Sequence, residues 1–179
     1  MSRALHLMAA TVLAGTAVLT AAGPARAADE SPEVIAVDLL LAGDWTTAAR
    51  EAMRIWNDAV PAIKFVEQAT EAPLRVKAYT TATGTSSHVY ISGAGQGWVY
   101  LENGDAQRYQ PTRIVAHELG HMLSLNDIGS TDQSCAKLMS GATAGPDCRD
   151  DHPDAAEIAE VTAFFEQNDV GDPVPWFHG

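Results

Sequence analysis

The chain has 179 residues, 46% of them hydrophobic, with 11 lysines and arginines against 23 acidic residues and a formal net charge of −12. Such an acidic balance argues against nucleic acid and anionic membranes as partners, because both select basic patches.

The first 27 residues read as a secretory leader. Arg3 supplies the positive start, Leu7 to Leu19 is apolar, and Ala25-Arg26-Ala27 matches a small-x-small cleavage site. The run from Leu7 to Gly23 falls short of the roughly 20 apolar residues a membrane span needs, and it is rich in Ala and Thr. Cleavage after Ala27 removes two arginines and no acid, leaving a charge of about −14. The remainder, 28–179, suits one secreted domain with one core.

Glu33 to Leu41 alternates and then turns apolar, which predicts the first strand. Gly43-Asp44 breaks it, and Asp44 is placed to cap the helix that follows. Trp45, Ala49, Ala52, Met53, Trp56 and Val60 recur at helical spacing and form a core-facing stripe, ended by Pro61. Ile63 to Glu67 and Leu74 to Tyr79 are the next strands. After a loop at Thr80 to Ser87, His88 to Ser92 forms a short strand. Gly93 to Gly97 reads as a loose segment, with no helix start or basic residue after it to hold a phosphate. Trp98 to Glu102 is a strand, and Asn103-Gly104 a turn. Pro111 opens a helix running to about Ser124. From Ile128 to Asp151 the chain is irregular. A last helix, Pro153 to about Asn168, has Ala156, Ile158, Ala159, Val161 and Phe165 to pack with, and the Pro-rich tail, 170–179 above all, reads as loose.

The chemistry lies on the helix that Pro111 opens. His117-Glu118-Leu119-Gly120-His121 places two histidines four apart, on one helical face, where they can share an ion. Ile114, Val115, Leu119, Met122, Leu123 and Leu125 flank them, so the helix is largely buried and its histidines need partners. Glu118 can reach a water on that ion without ligating it. Asp127, ten residues after His117, is the expected third ligand, at the spacing of the longer His-Glu-x-x-His-x-x-Gly-x-x-His motif. Three protein ligands on zinc leave one position for water, whose pKa falls toward about 7. Glu157 or Glu160 of the last helix is the rival third ligand, in a thermolysin-like arrangement. His88, His152 and His178 are lone histidines without a metal role.

With His117-Glu118-x-x-His121-x-x-Ser124-x-x-Asp127 and Leu138-Met139-Ser140-Gly141 between Cys135 and Cys148, the sequence resembles snapalysin, a family of small secreted bacterial zinc proteases. The resemblance runs from about Val34 to Phe165 and includes Gly95-Gln96-Gly97-Trp98. It implies that His117, His121 and Asp127 hold zinc, that Glu118 is the general base, and that Met139 lies in the turn beneath the metal. It implies a Cys135–Cys148 disulfide around that turn, worth roughly 3 kcal/mol on the chain-entropy model. A thiol pair acting as extra zinc ligands is the alternative. It also implies an edge strand at Trp98 to Glu102 pairing with the substrate peptide, Trp98 facing either substrate or core, and a preference for an aromatic residue just after the scissile bond.

Two positions depart from the family pattern. Ser124 replaces the glycine that leaves the helix with positive φ, unless the exit is remodelled around Asn126, and Asp127-Ile128-Gly129 lacks an aromatic after the third ligand. The family's calcium site would need an acid where Gln110 stands beside Thr112, so calcium is not assigned. The expectation is a zincin-like α+β fold: a small twisted mixed sheet, a packing helix, an active-site helix and a C-terminal helix. Its function would be that of a monomeric zinc endopeptidase acting on proteins or peptides. A zinc-stabilised secreted binding protein without catalysis is the alternative.

Overall fold

Alternating apolar residues build a sheet that is buried on one side only. In the computed structural model, which describes residues 31–128 and 133–176, strand β1 (Glu33–Leu41) buries Ile35, Val37 and Leu39 and leaves Val34 and Leu40 exposed. Strands β2 (Ile63–Glu67), β3 (Leu74–Tyr79), β4 (His88–Gly93) and β5 (Gln96–Glu102) complete a five-stranded sheet in the order β2-β1-β3-β5-β4. All neighbours are parallel except β4, which runs antiparallel to β5.

Helix α1 (Thr46–Ala59) lays its predicted stripe on this sheet: Trp45, Ala49, Ala52, Met53, Trp56 and Val60 are all buried. The indole N–H of Trp56 donates to the Ala116 carbonyl at 2.9 Å, which locks α1 to helix α2 (Pro111–Met122). Buried residues of α1, α2 and every strand join one hydrophobic core. The fold is α+β, with a mixed sheet and several helices, as expected of a small zincin-like protease. The predicted leader lies outside the described residues, and none of their helices is long and apolar enough to cross a membrane.

Several expectations require correction. Asp44 does not cap α1: it lies inside a 3-10 turn, Gly43–Trp45, whose helical backbone runs directly into the helix without a side-chain cap. Gly93 to Gly97 is not loose; Gly93 ends β4, while Gln96 and Gly97 begin β5, leaving a two-residue turn between them. Consequently Trp98 to Glu102 is not an edge. β5 has β3 on one side and β4 on the other, and the edges of the sheet are β2 and β4. Trp98 faces neither core nor cleft. It lies on the open side of the sheet, stacked on Tyr100 with the Arg75 guanidinium over its ring.

The C-terminal helix α3 (Ala155–Phe165) turns Glu157, Val161 and Phe165 inward, at four-residue spacing, and leaves Ala156 and Ala159 exposed. Nor is the whole tail loose. The Gly171 N–H donates to the Ala94 carbonyl and the Ala94 N–H to the Asp172 carbonyl, both at 2.8 Å, and Val174 is buried in the core. Residues 177–179, including His178, lie outside the described part of the chain.

Candidate metal centre

Both ends of α2 are tied down. Pro111 occupies its first turn, where a missing N–H costs nothing, and the Gln110 side chain accepts the Arg113 N–H as the N-cap. At the other end Ser124 takes a φ of +77°. Its N–H donates to the His121 carbonyl (3.1 Å) and the Leu125 N–H to the Gly120 carbonyl (3.0 Å), the paired bonds of a Schellman ending. Serine therefore adopts the conformation normally given to glycine, and the chain is not rerouted through Asn126. That turn aims Asp127 back at the helix.

The result is a tight triangle. His117 Nε2 lies 3.2 Å from His121 Nε2 and 3.3 Å from Asp127 Oδ1, and His121 Nε2 lies 3.6 Å from the same oxygen. The other ring nitrogens meet carbonyls, His117 Nδ1 that of Leu138 (3.1 Å) and His121 Nδ1 that of Leu125 (2.9 Å). A carbonyl only accepts, so each Nδ1 carries a proton, which leaves each Nε2 turned inward as the atom available to ligate. Burial, reinforced by the neighbouring His121, pushes His117 down to about 4, so it is neutral at pH 7. Three acceptors facing one another repel unless a cation lies between them. A tetrahedral divalent ion with bonds of about 2.0–2.1 Å separates its ligands by roughly 3.3–3.4 Å, so the observed spacings fit.

Glu118 projects from the next position into the same cleft and is buried. Burial, with the carboxylates of Asp127 and Asp105 adding to it, pushes its pKa up to about 8. The cleft, about 650 Å³, also has Ser86 and Ser87 just before β4, His88 and Val89 on it, Arg108 and Tyr109 ahead of α2, and Trp176 from the tail.

Below the triangle runs a 3-10 segment, Leu138–Ala144, enclosed by the Cys135–Cys148 disulfide. The cysteines are thus bonded to each other and do not serve as ligands. Met139 packs under α2 at Gly120, where a Cβ would come within 2.6 Å of its sulfur. Gly141 has φ +54°, and a Cβ there would come within 3.0 Å of the His117 ring, so only glycine lets this floor approach the histidine.

Arg113, to which the sequence reading assigned no role, and Glu157, expected only as a rival ligand, hold the floor in place. Arg113, four residues before His117 on α2, donates to the carbonyls of Lys137 (2.7 Å) and Asp150 and to Ser140 Oγ (2.9 Å). A lone arginine on the buried face of an apolar helix was the available signal. Glu157 accepts the N–H groups of Met139 (2.8 Å), Leu138 (3.2 Å) and Asp154 (2.7 Å). The thermolysin-like alternative fails on this geometry, since Glu157 is engaged with the floor's backbone and Glu160 is exposed on α3. His88 and His152 are exposed; the first stacks on Tyr100 and the second pairs with Asp151.

A model of the Streptomyces extracellular neutral proteinase (M7) family matches residues 42–167. The extracellular small neutral protease of Streptomyces lividans is 32% identical over 112 residues, covering 63% of this chain and 48% of its own length. That of Streptomyces coelicolor is 31% identical over 159 residues, or 88% and 72% of the two chains. That of Streptomyces caespitosus is 32% identical over 114 residues, or 64% and 83%. The chain thus spans about half the length of the first of these relatives and most of the other two. The family match begins before α1, ends beyond α3 and takes in every cleft residue named above except Trp176, and on that extent the chain belongs to the Streptomyces extracellular neutral proteinase family.

Proposed function

We propose that this chain is a secreted, monomeric zinc endopeptidase that cleaves proteins and peptides, with residues 1–27 as its export leader. The observation that carries the reading is the triangle of inward-facing acceptors, His117 Nε2, His121 Nε2 and Asp127 Oδ1, at 3.2–3.6 Å from one another. Two neutral imidazoles and one carboxylate would hold zinc with a net charge of about +1 and one position left open. Zinc so held supplies Lewis acidity, polarising a carbonyl and lowering the pKa of water toward about 7.

The remaining work falls to the chain's own side chains. Glu118 takes the proton of the attacking water at its carboxylate and returns it to the amine leaving group. The carbonyls of Leu138 and Leu125 hold the two histidine rings in the tautomer and orientation that ligation requires. The free edge of β4 borders the cleft, so its backbone is placed to pair with an extended peptide. A preference for an aromatic residue just after the scissile bond accompanies this reading.

The test is casein proteolysis with a chelator added and zinc then restored, alongside Glu118→Gln. The expected result is activity lost with the chelator and regained with zinc. Glu118→Gln is expected to keep its metal while losing at least about 100-fold in rate. A chain that binds zinc yet leaves casein intact would instead be a binding protein, and a variant cleaving at the wild-type rate would remove Glu118 from the mechanism.

A further inference from the structure

The tail brings a large aromatic side chain to the metal triangle from beyond residues 42–167, the stretch that the family model matches. Trp176 lines the cleft together with His117, Glu118 and Asp127, and its ring centroid lies 5.6 Å from that of His121 at an interplanar angle of 61°. Its indole N–H donates to the Ser124 carbonyl at 2.9 Å. That bond fixes the ring's orientation and commits its polar atom to the helix ending, so what remains for the cleft is hydrocarbon. The tail is anchored just before it by the Gly171 and Ala94 backbone bonds and by buried Val174, so the indole is held in place. Serines, Asp105, Asn126 and Asp127 contribute polar groups elsewhere in the lining.

We infer that Trp176 is a specificity-determining residue, an apolar wall beside the metal that contacts a large apolar side chain flanking the scissile bond. This rests on the peptidase reading above. An indole beside the reacting carbonyl favours aromatic and large aliphatic side chains through dispersion and apolar burial, and it gives no hydrogen bond to a polar one. The residue reaches the cleft only because the tail is tied back across the end of the β4–β5 hairpin.

The test compares paired peptides carrying Phe or Ala at each position flanking the scissile bond, using wild type, Trp176→Ala and Trp176→Phe. At one flanking position, Trp176→Ala is expected to lower the Phe-over-Ala ratio of kcat/KM about tenfold, mainly through KM for the Phe peptide. Cleavage of the Ala peptide is expected to fall far less than that of the Phe peptide, zinc content to stay near wild type, and Trp176→Phe to retain most of the preference. Equal losses on both peptides, or reduced zinc content, would show that Trp176 only supports His121 and would overturn the inference. An unchanged ratio would overturn it as well. Equilibrium binding of the same peptides to Glu118→Gln, with and without Trp176→Ala, reads the apolar contact without turnover. Loss of the Phe preference there supports the inference even if the wild-type chain cleaves nothing, a result that would instead sink the peptidase reading.

Discussion

Ser124 shows how a single residue can carry strain for the sake of a neighbour. At φ +77° its backbone occupies the left-handed region that glycine tolerates freely, and the turn it makes delivers Asp127 to the histidines. Its backbone carbonyl also takes the Trp176 indole N–H, a bond that any residue at this position would preserve. Ser124→Gly is therefore expected to raise stability by about 1 kcal/mol and leave zinc affinity unchanged, as read by thermal denaturation and metal titration. A destabilised variant would mean that the serine side chain, and not the turn, holds this exit. The two histidines were legible in the sequence because four-residue spacing alone puts them on one helical face. Arg113 has that same spacing to His117, but the carbonyls it binds come from residues 137 and 150, which no local pattern connects to α2.

At the scale of elements, α3 is organised around its N-terminus. Asp154 accepts the N–H groups of Ala156 and Glu157 at 2.9 Å, and Glu157 reaches back to the Asp154 N–H, a complete capping box. Asp154 also pairs with Lys137 at the entrance to the Met139 floor. Burial alone would raise the Asp154 carboxyl, but the Lys137 ammonium and the two N–H donors outweigh it and hold the carboxyl below its ordinary 3.8. A carboxyl with a lower pKa folded than unfolded adds stability above that ordinary value and loses it as pH falls through the folded one. Asp154→Asn is accordingly expected to lower stability at neutral pH and to flatten the acid limb of the stability profile below about pH 4. An acid limb identical to wild type would contradict this role.

The same helix shows where sequence legibility ends. Its existence followed from its apolar residues. Its facing did not, because the inward Glu157 is satisfied by backbone donors of a distant segment. The strands behaved alike: β1, β2 and β3 were readable residue for residue from alternation. That β4 rather than β5 is an edge depends on pairing order, which is a non-local property.

Across the whole molecule, the cleft is assembled by pieces far apart in the chain that meet at α2. The sheet supplies β4, the disulfide-bounded segment supplies the floor, α3 holds that floor, and the tail supplies Trp176. The resemblance read from the motif and the Met139 turn is borne out by the family match, while the tail's part in the cleft was hidden by its proline content, which suggested a loose end. The central claim is that one ion, held by His117, His121 and Asp127, is what makes this arrangement a peptidase. Titrating zinc into the metal-stripped chain, with bound metal and casein cleavage read on the same sample, tests it most directly. Activity is expected to rise in step with binding and to saturate at about one ion per chain, with Asp127→Ala losing at least about 100-fold in affinity. Full activity in the stripped chain, or an Asp127→Ala variant that binds zinc as tightly as wild type, would contradict it.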